Sequence, residues 1–297
     1  MPQPAGTPEP SGAVDSRPDV TSIGDAHAGH GPAEATPIRP ESEHRLRRAI
    51  DDREFTPHFQ PIVSLESGEL LAAEALARWT PASDDPVPPS GFLGLAEETG
   101  LIRSLGRQLI DRSVALLGAW GDAAPARVHL NVSGPELDGD ATLATALRNA
   151  AGKHGIHLGR FCVEVSERQA EVSSEQVRRL RELGVQVALD DFGSGYSSYA
   201  LLGSLPVTDL KIDGSLVRSL DSGKRSRAVV EHIVDLARDL GVRVVAEGIQ
   251  TTDQARRLRE AGCRVGQGFL FGRPRGPEDF EETLLTATGP RSNGSSG

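Results

Sequence analysis

Two adjacent acidic residues, Asp190 and Asp191, end an apolar segment in the sequence VQVALDDFGSGYSS. Val185, Val187 and Leu189 alternate with Gln or Ala, and this spacing predicts a strand. Neighbouring carboxylates repel each other, and the chain already carries a formal net charge of −10. Such a pair is suited to binding a cation, although two acids here could also cap the helix that follows.

Polar residues occupy the same position, the end of an apolar run, in nearly every predicted strand. They are Glu74, Asn131, Glu164, Lys211, Asp213, Glu247 and Gln267, in addition to the acidic pair. Each has an ordinary explanation when taken singly, as a helix cap, an Asx turn, a solvated lysine or a satisfied core amide. Their recurrence from strand to strand favours a shared function.

The order of the predicted elements indicates how these residues would meet. A helix beginning near Ser42 precedes two strands joined by a turn at Gly68, which is a predicted hairpin. Strands and helices then alternate as far as a last helix at 277–286, and this predicts an α/β fold of the TIM-like (β/α)8 barrel type. In such a barrel the carboxyl ends of the strands meet at one face. The polar strand ends would therefore converge there.

Carboxylates brought together at one face need neutralising charge, because partly buried like charges repel strongly. Lys211 alone could not balance Glu74, Glu164, Glu247 and the acidic pair. Oxygen ligands favour Mg²⁺, Mn²⁺ or Ca²⁺ over zinc. Two such ions can activate water and hold a phosphate for hydrolysis. The spacing therefore predicts a metal-dependent phosphoryl-transfer site.

Composition sets limits on the class of protein. The chain has 297 residues, of which 37% are hydrophobic and 25% charged, and this suits a folded domain. The acidic balance argues against a nucleic-acid polymer or an anionic membrane as partner. Cys162 and Cys263 make no disulfide framework, so we expect a reducing, cytoplasmic setting. The sequence contains no apolar run of about 18 residues and no signal-peptide pattern.

The chain divides into three predicted parts. Residues 1–41 are rich in Pro, Ala and Gly and are expected to be disordered. Residues 42–287 form the expected domain, and 288–297 form an expected flexible tail.

Nine fragments of this domain resemble the EAL-type cyclic-di-GMP phosphodiesterase family. They are FQPIVSLESGEL, EALARW, GFLGLAEETGLI, LNVS, VEVSE, LDDFGSGYSS, LKIDGSLV, VVAEGIQT and GQGFLFGRP. Each fragment alone is weakly specific, but their order and spacing together are highly specific. The resemblance implies a barrel whose first strand is antiparallel to the next, in keeping with the hairpin. It also implies hydrolysis of cyclic di-GMP to linear pGpG.

The resemblance further implies roles for individual residues. One Mg²⁺ or Mn²⁺ ion would be held by Glu74, Asn131, Glu164 and Asp190, and a second by Asp190, Asp191 and Glu247. Lys211 and Gln267 would lie near the attacking water, and Asp213 would orient Lys211. Arg78 and Gln60 would contact the dinucleotide. Glu167 would brace the loop after Asp191. Family members often pair through barrel helices, so a homodimer is compatible with the sequence.

One departure from the family pattern leaves an alternative function open. Gln250 stands where a glutamate is usual, in EGIQ, and an amide cannot accept a proton or a metal as a carboxylate can. The alternative is an EAL module of weak or no activity that acts as a cyclic-di-GMP receptor or interaction module. The other presumed ligands are retained, which favours the enzyme.

Overall fold

The computed structural model describes residues 40–81, 87–137, 142–193 and 199–287. The segment expected to be disordered lies outside these ranges except for its last two residues, and the expected tail lies wholly outside them. Both expectations therefore stay predictions.

Within the described ranges the strands form one closed barrel in chain order. They are β1 (Phe55–Ser64), β2 (Leu70–Trp79), β3 (Arg127–Asn131), β4 (Phe161–Ser166), β5 (Gln186–Phe192), β6 (Asp209–Ile212), β7 (Arg243–Ala246) and β8 (Val265–Gln267). β1 is antiparallel to both of its neighbours, β2 and β8, and the other pairs are parallel. The expected TIM-like barrel with an antiparallel first strand is confirmed.

Helices pack around the barrel within the described ranges. They are α1 (Pro40–Asp51), α2 (Leu93–Glu98), α3 (Ile102–Ala119), α4 (Gly134–Leu137), α5 (Thr142–His154), α6 (Glu167–Val172), α7 (Ser174–Glu182), α8 (Tyr199–Ser204), α9 (Gly214–Ser219), α10 (Lys224–Asp239), α11 (Thr252–Glu260) and α12 (Pro277–Ala287). Short 3-10 turns lie at Pro89–Gly91, Gly121–Ala123, Leu158–Arg160 and Leu220–Ser222. Helix α1 begins two residues before Ser42, because proline with its fixed φ is favoured in a first helical turn. None of these helices is both long and apolar enough to cross a membrane.

The hairpin of β1 and β2 is confirmed, and its turn contains Gly68 in the left-handed region, with φ +74°. Glycine adopts this backbone conformation without the steric cost of a Cβ atom. The hairpin register pairs Gln60 with Glu74 across the two strands.

Alternate residues of each strand face opposite sides of the barrel wall. The outward residues, such as Val163, Val187 and Leu210, join the large core between strands and helices. A smaller apolar cluster contains Ile62, Ala72, Val245 and Val265, which come from β1, β2, β7 and β8. In β2, β7 and β8 a polar residue follows two positions later on the same face. In the antiparallel β1 the polar residue, Gln60, precedes Ile62 by two positions, so the barrel interior changes from apolar to polar along its axis.

Candidate active site

The barrel register brings most of the predicted site residues to one rim. Asn131 ends β3 beside Glu164 of β4, and Gln267 ends β8. Asp190 lies in β5 and Lys211 in β6, while Glu247 directly follows β7. The side chains of Glu74, Glu164, Asp190, Lys211, Glu247 and Gln267 are buried.

Glu74 does not end its strand, as the sequence had suggested, because β2 continues to Trp79. The pairing of β2 with β3 stops at Ala75, however, and the remainder of β2 pairs with β1, apart from one antiparallel bridge between Trp79 and Val87. Glu74 therefore lies at the rim of the closed barrel even though the strand extends beyond it.

Lys211 lies at the centre of the acidic cluster and is fully buried. Its Nζ is 2.6 Å from Glu247 Oε1 and 2.7 Å from Glu164 Oε2. It is also 3.4 Å from Glu74 Oε2 and 3.4 Å from Asp190 Oδ1. One ammonium group thus contacts four carboxylates, and the cluster keeps a surplus of negative charge.

Amide side chains hold Glu74 in place. Asn131 Nδ2 donates to Glu74 Oε1 at 2.6 Å, and Gln267 Nε2 donates to Glu74 Oε2 at 2.6 Å. Gln267 Nε2 also lies 2.9 Å from Gln60 Oε1, and Gln60 Nε2 donates to the Gly272 carbonyl at 3.0 Å. Gln60 and Gln267 are therefore tied to the cluster in the structure.

The backbone is unusual at the acidic pair. Asp191 has φ +55°, and the pairing of β5 with β6 shifts register between Leu189 and Phe192. A bulge of this kind redirects side chains, and such conformations are concentrated at functional sites. Ligand atoms of Asp190, Asp191 and Glu247 lie within 4.8 Å of one another, so the bulge places both acids beside the residue after β7.

Burial and mutual repulsion favour bound protons on the acids. Burial raises the pKa of Glu164 well above its usual value, with Glu74 adding to the shift and Lys211 opposing it. Burial also raises the pKa of Glu247 to about 8. For Lys211 burial acts to lower the pKa, but the surrounding carboxylates, Asp190 first among them, raise it well above its usual range. Lys211 therefore stays an ammonium at neutral pH.

The donors of the cluster fit a divalent cation. Asp190 Oδ1 is buried without a hydrogen-bond partner among the described residues, and its nearest cationic atom is Lys211 Nζ. All candidate ligand atoms are oxygens, and Mg²⁺ and Mn²⁺ prefer oxygen ligands. A cation at Asp190, Asp191 and Glu247 would supply the charge that Lys211 alone lacks.

A cavity of about 570 Å³ opens over the cluster. Its lining includes the site residues Gln60, Asn131, Glu247 and Gln267, and three arginines, Arg78, Arg218 and Arg273. The Arg273 guanidinium stacks on the ring of Phe269 at 4.0 Å from its centroid. The volume lies within the usual range for small-molecule sites, and the guanidinium groups suit an anionic ligand.

The roles predicted for Asp213 and Glu167 stay predictions, as do those of the other site residues. Asp213 lines the cavity, but its side chain accepts from Ser215 N at 2.8 Å and caps α9, while the described ion pairs of Lys211 are with four other acidic residues. Glu167 begins α6 next to β4, but most of the loop it was expected to brace, 194–198, lies outside the described residues.

Gln250 lies apart from the acidic cluster. Its side chain is exposed and lines the cavity, and its backbone N–H donates to Gln254 Oε1 at 2.9 Å within the capping box that begins α11. Ligand atoms of Asp190, Asp191 and Glu247 form their group without a contribution from residue 250.

Sequence reasoning missed two buried polar residues beneath the rim. His129 Nδ1 lies 2.7 Å from Glu164 Oε1, and Asp209 accepts from Arg243 Nε at 2.5 Å and from Thr208 Oγ1 at 2.8 Å. Each precedes a predicted site residue by two positions on its strand, Asn131 and Lys211 respectively. The two-residue period of a strand would have revealed this second polar layer.

Comparison with known proteins agrees with this geometry. A family model described as EAL domain matches residues 43–274. The bifunctional diguanylate cyclase/cyclic di-GMP phosphodiesterase MucR of Pseudomonas aeruginosa is 36% identical over 237 residues, which cover 78% of this chain and 34% of that protein. The probable cyclic di-GMP phosphodiesterase PdeB of Escherichia coli is 36% identical over 241 residues, covering 80% of this chain and 46% of that protein.

Solved structures of EAL proteins are also similar to this chain. The PaMucR phosphodiesterase in its c-di-GMP complex has a TM-score of 0.75 and 34% identity, covering 81% of this chain and 99% of that chain. The EAL enzyme Bd1971, bound to cAMP and cyclic-di-GMP, has a TM-score of 0.77 at 28% identity, covering 82% of this chain and 68% of that chain. The chain therefore belongs to the EAL domain family. It spans about a third to a half of the length of the two curated relatives.

Proposed function

We propose that this chain is a metal-dependent phosphodiesterase that hydrolyses one phosphodiester bond of cyclic di-GMP and releases linear pGpG. The observation that carries the proposal is the buried cluster of Glu74, Glu164, Asp190, Asp191 and Glu247 around Lys211, at the base of the cavity. The names of its relatives support cyclic di-GMP as the substrate.

Two groups of residues would hold divalent cations, Mg²⁺ or Mn²⁺. Glu74, Asn131, Glu164 and Asp190 would form one group, and Asp190, Asp191 and Glu247 the other, with Asp190 shared. When bound, such cations lower the pKa of water and offset the negative charge of a phosphate. The shared residue is also the one whose Oδ1 has no described hydrogen-bond partner.

The arginines of the cavity would bind and orient the substrate. Arg78 is half-buried, and its Nη1 donates to the Ala77 carbonyl at 2.8 Å, which fixes the guanidinium group at the cavity wall. Burial lowers the pKa of Arg78 and Glu74 raises it, but an arginine remains charged in proteins. Its other N–H groups can take a phosphate oxygen in the paired geometry that arginine favours.

Lys211 would act as a fixed positive charge and a hydrogen-bond donor. Because the acids raise its pKa well above the usual value, its Nζ has no lone pair to accept a proton at neutral pH. It can donate to the oxygen of the attacking water. In the overall reaction the P–O3′ bond breaks and an oxygen from water joins the phosphorus. One proton of the water ends on the released 3′-oxygen, and the other stays on the new phosphate group or passes to solvent.

The direct test is incubation of the purified chain with cyclic di-GMP and Mg²⁺ or Mn²⁺, followed by chromatographic detection of pGpG. We expect product with either metal, none in EDTA, and a fall of about 100-fold or more in Glu74→Gln, since that change removes a ligand carboxylate from a cation site. A folded wild-type chain that forms no pGpG with either metal would refute the proposal.

The receptor alternative rests on Gln250 alone. It predicts tight binding of cyclic di-GMP without product, which calorimetry and the same chromatographic assay would separate from turnover. The acidic group of Asp190, Asp191 and Glu247 is complete without residue 250, and this supports the enzyme.

A further inference from the structure

His129 is a buried residue with a direct contact to a presumed metal ligand. It lies on β3, two residues before Asn131, and is 1% exposed. Its Nδ1 lies 2.7 Å from Glu164 Oε1, while Glu164 Oε2 lies 2.7 Å from Lys211 Nζ. Oε1 of Glu164 therefore faces His129, and Oε2 faces Lys211 at the centre of the acidic cluster.

A second cavity, of about 140 Å³, lies at the opposite end of the barrel. His129 lines it with Arg127 and Arg243, and His129 Nε2 is buried without a hydrogen-bond partner among the described residues. Both arginines form ion pairs with Asp209. Of the two ring nitrogens, Nδ1 is therefore the one with a described partner, Glu164.

The contact with Glu164 selects one tautomer of the ring. Without a hydrogen on Nδ1, the lone pair of Nδ1 would face a carboxylate oxygen at 2.7 Å. Glu164 must be ionised to hold a cation, and an ionised carboxylate can only accept hydrogen bonds. Nδ1 therefore carries a hydrogen and donates it to Glu164.

We propose that His129 is a positioning residue for Glu164: its Nδ1–H fixes the rotation of the carboxylate so that Oε2 faces the cation site. This inference rests on the proposed function, because it assigns Glu164 to that site. The terminal torsion of a glutamate has a broad preference, so the carboxylate has little intrinsic orientation without such a partner. Partners of metal ligands commonly contribute 10–100-fold to metal affinity.

A purely structural role would favour a different residue. The inner layers of such barrels are usually filled by branched apolar side chains, as Ile62, Val245 and Val265 show in this one. A buried imidazole at this level brings polar atoms that need partners, and a buried polar atom without a partner destabilises the fold. Packing alone would therefore be served better by leucine.

The test compares His129→Leu with His129→Asn by calorimetric titration of Mn²⁺, without nucleotide. Leucine fills the space but has no N–H, whereas asparagine is smaller but can place an N–H near the position of Nδ1. We expect the leucine variant to lose about 10–100-fold in Mn²⁺ affinity and the asparagine variant to stay closer to the wild type. Thermal unfolding in EDTA shows whether both variants fold.

Each outcome has a definite meaning. Equal Mn²⁺ affinity in wild type and His129→Leu, or a weaker affinity in the asparagine than in the leucine variant, overturns the positioning role and leaves the proposed function standing. A wild-type chain that binds no Mn²⁺ removes the metal from the proposed function, and the inference falls with it.

Discussion

Lys211 acts as an internal counter-ion in the structure. Its contacts with Glu74, Glu164, Asp190 and Glu247 neutralise one charge of a cluster that also includes Asp191. The remaining acids can reduce their repulsion by taking up protons or by binding cations. The metal-free protein and the metal-bound protein should therefore differ in their response to pH.

The pKa of Glu247 determines whether the stability of the metal-free protein rises or falls with pH. Burial raises its pKa to about 8, so the folded chain holds the proton to higher pH than the unfolded chain does. The stability from this group is fully present below its ordinary pKa of about 4.3 and is lost as the pH rises through about 8. In EDTA, we expect the unfolding temperature to fall between pH 5 and pH 9.

Glu247→Gln is the control, because its amide does not titrate, and its slope should be smaller than that of the wild type. Mn²⁺ should flatten or reverse the wild-type slope, since cation binding favours the ionised ligand. A metal-free unfolding temperature that rises over this range would contradict the assignment.

At the scale of elements, the loops after β6 and β7 hold the site together. Gly248 follows Glu247 with φ +65°, and a Cβ atom there would approach Gly214 Cα to 3.1 Å. Gly214 begins α9, just after Lys211 and its strand. The close approach of these two glycines keeps the carboxylate of Glu247 beside the lysine.

Gly248→Ala should therefore weaken Mn²⁺ binding and slow hydrolysis, because the new Cβ pushes the two loops apart. Gly68→Ala is the matched control: its φ of +74° is similar, but no atom lies within 4 Å of the added Cβ. Both should lose about 1–2 kcal/mol of stability from backbone strain. Calorimetric Mn²⁺ titration of the two variants tests this, and equal Mn²⁺ affinities would refute the role of the close approach.

The sequence predicted the long elements and missed several short ones. Strands and amphipathic helices have clear periods, but α4, α6 and α9 are four to six residues long, and no period can be read over that length. For α6 a local signal exists, the capping box of Ser166 and Gln169.

At the scale of the molecule, barrel closure explains why strand ends far apart in sequence predicted one site. The recurrence of polar residues at strand ends was enough to select Glu74, Asn131, Glu164 and Asp190 together. It was not enough to find His129, because a buried polar residue in mid-strand carries no signal in the sequence unless the inward face is already known. Distances within the cluster likewise depend on barrel closure and on the bulge at Asp191.

The closed barrel also reconciles an acidic chain with the anionic substrate that we propose. The net charge is −10, yet Arg78, Arg218 and Arg273 line the cavity that opens over the acidic cluster. Cations at the cluster would add to this local positive charge. The central claim is therefore that the cluster is a binding site for divalent cations.

Anomalous diffraction from crystals grown with Mn²⁺ and cyclic di-GMP tests this claim most directly. We expect Mn²⁺ peaks on both sides of Asp190, one among Glu74, Asn131 and Glu164 and the other beside Asp191 and Glu247, with nucleotide in the cavity above. Nucleotide bound in the cavity with no Mn²⁺ peak at this cluster would contradict it.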